Sequence, residues 1–419
     1  MGTKRTSARI VVLGAGFGGL TFCQSLRHSQ AEILVVDRQN HHLFQPLLYQ
    51  VATAGLSAPE IAQPIRAIFH DRPEIQVRLG EVTDIRTDAR EVEVDGQTEP
   101  YDYLVFALGG CSSYFGHPEW EPFAPGLKSL EDAHRIRRNI LLAFERAENT
   151  DDLEERKRLM TIVVIGGGPT GVELAGAFCE LTRKVLRRDF RRIDPTHARI
   201  LLIEGSPRLL AQFPEDLSAN ALETLQNMGV EVRTETRVKD IRHGQVELPD
   251  GSVINAENIL WAAGVSASPM TAKLRTPLDR AGRVLVSPDL SLPGHPEVFV
   301  IGDACSIVDC DGQVVPGVSP AAMQEGRHVA RLIGDALDGH PTRPAFDYWD
   351  KGTMATIGRS AAVAVLGPVH FTGFLAWIAW LFVHLLFLVG FRNKVAVLWQ
   401  WFYSYLTYRR GARILIQKI

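Results

Sequence analysis

The chain has 419 residues, of which 46% are hydrophobic and 22% charged, so it can form two or three domains with full-sized cores. A formal net charge of -3, with no long block of like charges, argues against a nucleic-acid partner. The five cysteines contain no CxxC pair, which is typical of buried thiols in a reducing compartment, and no residue pattern predicts a metal site. The N-terminus lacks a signal-peptide pattern, so we expect the nucleotide-binding part in the cytoplasm.

The first predicted element is an apolar strand that ends in a glycine-rich turn. Gly14, Gly16 and Gly19 have the G-x-G-x-x-G spacing, and a helix and a second strand at 32–36 follow. Such glycines allow a tight turn, let the main chain approach a pyrophosphate and bring the helix close to the strand. Asp37 ends the second strand, where its carboxylate can accept hydrogen bonds from ribose hydroxyls. The segment therefore predicts a dinucleotide-binding unit.

The same arrangement recurs later in the chain. Gly166, Gly168 and Gly171 repeat the turn 152 residues after the first copy, and the sheet segments downstream of the two turns also match. Here the strand after the helix ends in Glu204, whose charge would repel a 2'-phosphate, so we expect NADH in preference to NADPH. A basic insert at 183–195 lengthens the spacing before Glu204. A solvated helix extension is the favoured interpretation of this insert, and a docking face is the alternative.

A third apolar segment, 298–307, indicates which copy holds which cofactor. It contains Gly302-Asp303 and has no counterpart in the second copy, so we expect it to return to the first sheet and place Asp303 beside a long flavin side chain. The first copy is then predicted to bind FAD and the second NADH. The predicted fold class is α/β, with two Rossmann-like dinucleotide-binding domains and a C-terminal membrane-associating helical region. The predicted boundaries are 1–118 and 272–345 for a split FAD-binding domain, 119–271 for the inserted NADH-binding domain, and 346–419 for the C-terminal region.

The C-terminal region differs from the rest of the chain in charge and composition. Residues 351–419 contain eight basic side chains and no Asp or Glu, and five of the seven tryptophans lie from Trp349 onward. The uncharged segment 371–391 is long enough, as a helix, to reach across a bilayer, and a second aromatic stretch follows at 395–406. His384 and the flanking cations favour helices that lie in the membrane interface. A spanning helix and a buried or dimer-forming helix are the alternatives.

Taken together, the motifs resemble one branch of the two-dinucleotide-binding-domain flavoproteins, the type II NADH dehydrogenases that reduce membrane quinones. The likeness rests on HHLFQPLLYQVATAGL (41–56), GGGPTGVELAG (166–176), VIGDAC (300–305), PGVSPAAMQEGR (316–327) and KGTMATIGR (351–359), in that order. The resemblance implies an FAD site formed by Gly14, Gly16, Gly19, Asp37, Gln45, Thr53, Gly109, Gly302, Asp303 and the main chain near Val82. It implies an NADH site formed by Gly166, Gly168, Thr170, Gly171, Glu204 and Gly264.

The resemblance also implies the groups that act on quinone. Glu173 matches a family carboxylate that lies between nicotinamide, flavin and quinone; the alternative is an acidic residue that merely stabilises the first turn of its helix. The family has an Ala-Gln-x-Ala-x-Gln stretch beside the flavin, whereas this chain has Pro320 in place of the first glutamine and retains the second, Gln324. The predicted quinone contacts are therefore Gln324, Pro320 and Met323, with Glu173 and Gln324 as catalytic residues.

The implied function is a non-proton-pumping NADH:quinone oxidoreductase of respiratory electron transport. Hydride would pass from NADH to FAD, and two electrons would then pass to ubiquinone or menaquinone. The protein is expected on the cytoplasmic face of the cell membrane as a peripheral, monotopic enzyme attached to lipid through residues 346–419, whose cations should be drawn toward anionic lipid. A homodimer is kept as an alternative to a single chain.

Other classes of function also fit parts of the sequence. The spacing of Cys305 and Cys310 suits a disulfide acceptor, as in glutathione or thioredoxin reductases, although a structural pair of thiols is favoured because those enzymes place the redox pair elsewhere. Sulfide oxidation on a similar scaffold would need paired cysteines facing the flavin. A non-catalytic flavoprotein that senses NADH is the remaining alternative.

Overall fold

Two compact units make up the chain in a computed structural model, which describes residues 7–310, 312–407 and 412–415. The predicted boundaries of the functional domains stay a prediction. Unit 1 comprises Met1–His42, Gln63–Cys111 and Val265–Lys351, and unit 2 comprises Leu43–Ala62, Ser112–Gly264 and Gly352–Ile419.

Unit 1 is built on a six-stranded, mostly parallel sheet. Strand Ala8–Leu13 lies inside this sheet, and its last four residues are aliphatic and buried, as expected of a parallel strand between helical layers. The strand His295–Val300 pairs in parallel with Tyr103–Phe106, which confirms that the third apolar segment returns to the first sheet. In order across the sheet, the strands are Ser291–Leu292, His295–Val300, Tyr103–Phe106, Ala8–Leu13, Ala31–Asp37 and Ile75–Leu79.

Two helices of unit 1 pack backbone against backbone. Helix Phe17–Ser25 follows the first glycine turn, and helix Ser319–Leu337 lies against it. A Cβ atom at Gly326 would stand 2.5 Å from the carbonyl oxygen of Gly18, so only glycine allows this approach. A separate antiparallel sheet of Val82–Arg86, Glu91–Val94 and Gln97–Pro100 and the short helix Ile65–Ile68 complete the regular structure that bears on the site.

Unit 2 repeats this plan, which confirms the predicted duplication. Its parallel sheet has the strand order Glu231–Arg233, Arg199–Ile203, Thr161–Ile165 and Asn258–Trp261, and its small antiparallel sheet contains Asp240–Arg242, Gln245–Glu247 and Val253–Asn255. The central strand Thr161–Ile165 is entirely buried. The helices are Leu48–Ala52, Ala58–Ile61, Leu130–Asn149, Leu153–Leu159, Pro169–Glu180 and Glu215–Met228.

The basic insert continues the helix Pro169–Glu180 by one π-helical turn, Leu181–Val185. Beyond that turn the chain is irregular, and Lys184, Arg187 and Arg188 are exposed. The favoured interpretation as a solvated extension therefore fits the structure, although the extension is shorter than the insert.

The C-terminal part of unit 2 begins with an antiparallel sheet of Thr353–Thr356, Ala362–Leu366 and Val369–Thr372. Helices Gly373–Phe387 and Phe391–Thr407 follow. The first of these helices starts two residues later than the apolar run at 371–391, because Phe371 is still paired with Ala364 in the sheet. Among the described residues, no helix combines the length and the apolar character needed to cross a membrane.

Candidate functional site

The glycine turns of the two units share one geometry. The first glycine of each turn has a left-handed backbone, with φ of +94° at Gly14 and +111° at Gly166. A Cβ atom on Gly19, the third glycine of the first turn, would stand 1.9 Å from the carbonyl oxygen of Gly14. A Cβ atom on Gly171, the third glycine of the second turn, would stand 1.8 Å from the carbonyl oxygen of Gly166. Both positions therefore require glycine for the helix to pack against the strand.

The middle glycines of the turns face open space. A Cβ atom at Gly16 or Gly168 would meet no heavy atom within 4 Å. Each of these residues directly precedes a helix of nine or more residues, so the first main-chain N–H groups of that helix point toward the opening. This arrangement suits an anionic pyrophosphate, which is the group that a dinucleotide would place there.

The acidic residues Asp37 and Glu204 are held in the same way. Asp37 accepts hydrogen bonds from the main-chain N–H groups of Ala15 and Gln39, both at 2.7 Å. Glu204 accepts the equivalent pair of hydrogen bonds, from the main-chain N–H groups of Gly167 at 2.5 Å and Ser206 at 2.6 Å. These bonds fix each carboxylate at the edge of its glycine turn and leave further lone pairs for ribose hydroxyls.

His42 is a polar residue beside the first glycine turn that sequence reasoning missed. Its Nδ1 lies 2.8 Å from the carbonyl oxygen of Ala15, so Nδ1 carries the hydrogen and Nε2 is left as an acceptor. Burial lowers the pKa of His42, which keeps the ring neutral. Nε2 is buried and has no partner among the described residues. An acceptor in that position fits a bound cofactor that supplies a hydroxyl.

Gly302 and Asp303 follow the third segment at the end of its strand. Gly302 has φ of +73°, and its N–H donates to the buried carboxyl group of Glu325 at 2.5 Å. Burial raises the pKa of Glu325 to about 7. A Cβ atom added at Gly110 would stand 3.3 Å from the Cβ atom of Asp303. Asp303 therefore lies beside the segment that follows strand Tyr103–Phe106.

The remaining residues predicted to hold FAD fall in two places. Gly109, with φ of +64° and open space at its Cβ position, and the buried Val82 lie in unit 1. Gln45 and Thr53 lie in unit 2. The Gln45 amide donates to the Lys128 carbonyl oxygen at 3.3 Å, and the Thr53 hydroxyl donates within its own helix. Their assignment to flavin stays a prediction.

The residues predicted to hold NADH all lie in unit 2. Thr170 is exposed in the first turn of helix Pro169–Glu180. Gly264 follows strand Asn258–Trp261, and a Cβ atom there would stand 2.7 Å from the ring of Phe115. Glycine at this position thus lets an aromatic ring cover the end of the strand.

Glu173 lies one turn into helix Pro169–Glu180 and is surrounded by protein atoms, although part of its side chain remains exposed. Burial raises the pKa of Glu173 to about 8, and a hydrogen bond from the main-chain N–H of Thr356 partly offsets this effect. Its carboxyl group can therefore carry a proton near neutral pH and exchange it.

An aromatic cavity lies on the same face of that helix as Glu173. Its wall includes Ala177 and Glu180, which lie four and seven residues after Glu173. The enclosed part of this space measures about 90 Å³. The other lining residues are Tyr49, Gln50, Thr53, Gly55, Val185, Gly358, Arg359, Trp377, Trp380, Leu381 and Trp401. A flat, apolar ring would fit such a wall.

The predicted quinone contacts Gln324, Pro320 and Met323 lie on helix Ser319–Leu337 in unit 1. None of the three lines the aromatic cavity. Both ends of the Gln324 amide bind the main chain of Trp349, at 3.0 and 3.1 Å. Gln324 thereby anchors the segment that follows its helix, and its role toward quinone stays a prediction.

The cysteine pair has no dithiol character. Cys305 is buried, which raises the pKa of its thiol well above the ordinary value, whereas Cys310 is exposed and lies 2.9 Å from an oxygen of Asp347. No disulfide joins them. The favoured interpretation as structural thiols therefore fits the structure better than a redox pair does.

His384, the polar residue within the apolar C-terminal run, faces the protein rather than an interface. Its ring stacks on Trp380 with centroids 3.9 Å apart, and its Nδ1 lies 2.8 Å from the Trp380 carbonyl oxygen. Burial lowers the pKa of His384 to about 4, so the ring is neutral. His384 therefore does not support the interpretation of an interfacial helix, which stays a prediction.

Of the residues that line the cavity, sequence reasoning named only Thr53. Tyr49 lies more than 300 residues before Gly358 and Trp401, and no spacing rule connects them. The available signal was the set of aromatic residues in the segment FQPLLYQ and in the C-terminal run.

Comparisons with known proteins agree with this geometry. Residues 8–326 match the family described as pyridine nucleotide-disulphide oxidoreductase, and residues 350–410 match the NDH2 C-terminal domain. The type II NADH:quinone oxidoreductase Ndh of Mycobacterium tuberculosis is 45% identical over 417 residues, which cover 96% of this chain and 89% of that protein. A second protein of that organism, NdhA, is 41% identical over 96% of this chain and 88% of its own length.

One solved structure shares the whole fold. The structure of NDH2 from Plasmodium falciparum in complex with NADH has a TM-score of 0.88 to this chain at 19% identity, and the match covers 98% of this chain and 100% of that one. At that identity the likeness concerns the fold alone.

Proposed function

Because this chain belongs to the type II NADH:quinone oxidoreductases, we propose that it transfers two electrons from NADH through FAD to a quinone without pumping protons. The observation that carries the proposal is the duplicated turn, in which two glycine cradles each hold one carboxylate by the same pair of main-chain N–H groups. Two such cradles suit two dinucleotides, one a resident cofactor and the other a substrate.

In this proposal, unit 1 binds FAD through Gly14, Gly16, Gly19 and Asp37, with Gly109, Gly302, Asp303 and the main chain near Val82 as further contacts. Bound FAD supplies the ability to accept a hydride and to release electrons to a second acceptor. The unpartnered Nε2 of His42 supports the assignment, because unit 1 offers a buried acceptor where a ligand hydroxyl would complete the hydrogen bonding.

Unit 2 binds NADH through Gly166, Gly168, Thr170, Gly171, Glu204 and Gly264. The fixed carboxylate of Glu204 supports a preference for NADH, because a 2'-phosphate would bring negative charge beside it. Gln45 and Thr53 are proposed to contact the flavin from the segment Leu43–Ala62.

Quinone reduction needs two protons as well as two electrons, and Glu173 is the proposed proton donor. Its raised pKa and the adjoining aromatic cavity support this role. Gln324, with Pro320 and Met323 beside it, is the proposed second group that contacts the quinone. Whether the quinone is ubiquinone or menaquinone depends on the membrane in which the enzyme works.

The protein is further proposed to attach to the cytoplasmic face of the membrane as a peripheral, monotopic enzyme. In helix Gly373–Phe387, the residues Leu375, Ile378 and Phe382 are exposed along one face, while Trp380 on the opposite face is buried. Helix Phe391–Thr407 carries a similar stripe. Exposed apolar stripes flanked by cations suit an interface of anionic lipid. A homodimer that covers these stripes is the alternative occupant.

Anaerobic stopped-flow spectroscopy of the purified protein tests the electron path. NADH should bleach the flavin absorbance of the wild type in a fast phase, and a short-chain quinone added second should restore it. Fast bleaching without reoxidation by any quinone would contradict the proposal and favour an NADH-sensing flavoprotein.

The Glu173→Gln variant tests the proton donor in the same apparatus. FAD content and the bleaching phase should equal those of the wild type, and reoxidation by quinone should slow by about a hundredfold, the effect typical of losing a general acid. Wild-type reoxidation in this variant would remove the role of Glu173. Glu145→Gln, on the exposed face of helix Leu130–Asn149, is the matched control.

A further inference from the structure

A chain of hydrogen bonds leads from the second C-terminal helix to Glu173. The indole Nε1 of Trp401 lies 2.8 Å from Oε1 of Gln50, and Nε2 of Gln50 lies 3.0 Å from the hydroxyl oxygen of Tyr49. The Tyr49 hydroxyl lies 3.0 Å from the Thr356 hydroxyl. Strand Thr353–Thr356 packs against the helix that carries Glu173, and the main-chain N–H of Thr356 lowers the pKa of Glu173. All of these residues lie in unit 2.

The donors and acceptors allow only one direction for this series of hydrogen bonds. An indole N–H can only donate, so the amide oxygen of Gln50 must face Trp401 and its NH₂ group must face Tyr49. The Tyr49 oxygen therefore accepts from Gln50. Burial raises the pKa of Tyr49, so the phenol keeps its own hydrogen, and the Thr356 hydroxyl is the acceptor within reach. Every donor in the chain thus points from Trp401 toward Glu173.

We propose that Trp401 is a positioning residue for Glu173, because the directed chain through Gln50 and Tyr49 fixes Thr356 at the end of the strand that packs against the helix of Glu173. This inference deepens the proposed function and rests on Glu173 as the proton donor. It links the helix that is proposed to lie on the membrane to the group that protonates the quinone. Seating of that helix then sets how readily Glu173 gives up its proton.

The loss of the Trp401 hydrogen bond should change the pKa of Glu173 in one direction only. A main-chain N–H stabilises the ionised carboxylate, so it lowers the pKa of Glu173. Removing the Trp401 donor frees Gln50 to turn, and Tyr49 then no longer needs to donate to Thr356. A looser Thr356 binds the carboxylate less well, and the pKa of Glu173 should rise.

Other ionisable groups line the aromatic cavity, and Trp401→Phe leaves all of them in place. Among the described residues that line the cavity, they are Tyr49 on helix Leu48–Ala52, Glu180 on the helix of Glu173, and Arg359 after strand Thr353–Thr356. Helix Gly373–Phe387 contributes only neutral side chains, Trp377, Trp380 and Leu381. A shift seen on changing Trp401 therefore does not come from a charge added to or removed from the cavity.

The test is the pH profile of steady-state reduction of a short-chain quinone by the full-length, FAD-loaded protein. In the wild type, turnover should fall as pH rises through the pKa of Glu173, and this fall forms the alkaline limb of the profile. In Trp401→Phe this limb should move to higher pH by about half a unit to one unit, the effect expected from losing one neutral hydrogen bond. Tyr49→Phe should move it likewise, and the double variant should move it no further, because both changes break one chain.

Trp120→Phe is the matched control. It removes an indole hydrogen bond of the same kind, to Asp240 at 3.1 Å, from a buried ring of the same unit. Its limb should stay at the wild-type position, and flavin bleaching by NADH should keep its rate in every variant. A wild-type limb in both Trp401→Phe and Tyr49→Phe, or an equal shift in Trp120→Phe, would overturn the inference.

Glu173→Gln separates this inference from the proposed function. If that variant abolishes the limb while Trp401→Phe leaves it in place, the positioning chain is wrong and the proton donor stands. If the limb persists in Glu173→Gln, the role proposed for Glu173 is wrong, and the inference that rests on it falls too.

Discussion

At the scale of single residues, we expect charge placement to give the two glycine turns their selectivity. Asp37 and Glu204 each end a buried parallel strand and each accept two main-chain hydrogen bonds. A carboxylate held in this way cannot swing aside to admit a phosphate. In the proposed function, the fixed negative charge at the strand end accepts hydrogen bonds from the ribose hydroxyls and repels a phosphate.

Replacing Glu204 with Gln should narrow the preference for NADH over NADPH. The amide cannot accept from both N–H groups, and it no longer repels a 2'-phosphate. We expect kcat/KM for NADH to fall about tenfold, with that for NADPH unchanged or higher, because hydrogen bonds to a charged group contribute about 1.5–3 kcal/mol. Steady-state kinetics with both donors measures this, with the exposed Glu223→Gln as control. An unchanged ratio of the two values would contradict it.

Glu173 should make the stability of the protein depend on pH. Its pKa is raised from 4.5 to about 8 by burial, so the native state binds the proton more tightly than the unfolded chain does. The stabilising contribution is therefore fully present below about pH 4.5 and is lost as pH rises through about 8. Across that window the unfolding free energy of the wild type should fall relative to that of Glu173→Gln. Urea unfolding at several pH values measures the difference, and parallel curves would argue against the raised pKa.

At the scale of elements, contacts between backbones hold the glycine turns together. The third glycine of each turn lies against the carbonyl oxygen of the first, which brings the helix close to the central strand. A comparable approach joins helix Pro169–Glu180 to the loop after strand Thr353–Thr356, where a Cβ atom at Gly176 would stand 2.5 Å from the Gly358 nitrogen. These approaches position the helix that carries Glu173.

Gly171→Ala should therefore damage the NADH cradle and spare the FAD cradle. The new methyl group would overlap the Gly166 oxygen, and such overpacking typically costs about 1–3 kcal/mol. We expect a purified protein that is yellow but is reduced by NADH only at much higher NADH concentration. Gly168→Ala, where the methyl group meets no heavy atom within 4 Å, should keep the wild-type thermal stability. Equal stability of the two variants would contradict the steric argument.

At the scale of the whole molecule, charge and apolar surface are unevenly distributed. The cations after residue 350 have no acidic residues among them, and the remainder of the chain carries a net charge of -11. The two C-terminal helices add exposed apolar stripes to this basic region. A surface with both properties binds anionic lipid through burial and through salt-sensitive attraction.

Leu375→Asp combined with Phe382→Asp should release the protein from anionic vesicles. The two side chains are 72% and 63% exposed, so the change should leave the core and the FAD content intact. Cosedimentation should fall by about tenfold or more, since two apolar side chains can no longer be buried in the lipid and two negative charges are added. Val253→Asp, at a 50% exposed apolar residue on a strand of unit 2, is the control. Undiminished binding of the double variant would favour a homodimer or another occupant of the stripes.

The sequence by itself determined the duplicated nucleotide-binding plan, because glycine spacing and a strand-ending carboxylate are local features that the backbone cannot form otherwise. It also predicted the return of the third segment to the first sheet, since that segment had no counterpart in the second copy. Only the tertiary structure linked Trp401 through Gln50 and Tyr49 to Thr356, and turned His384 inward. Contacts between segments hundreds of residues apart depend on packing and burial, and burial is also what sets the pKa of a carboxyl group such as Glu173.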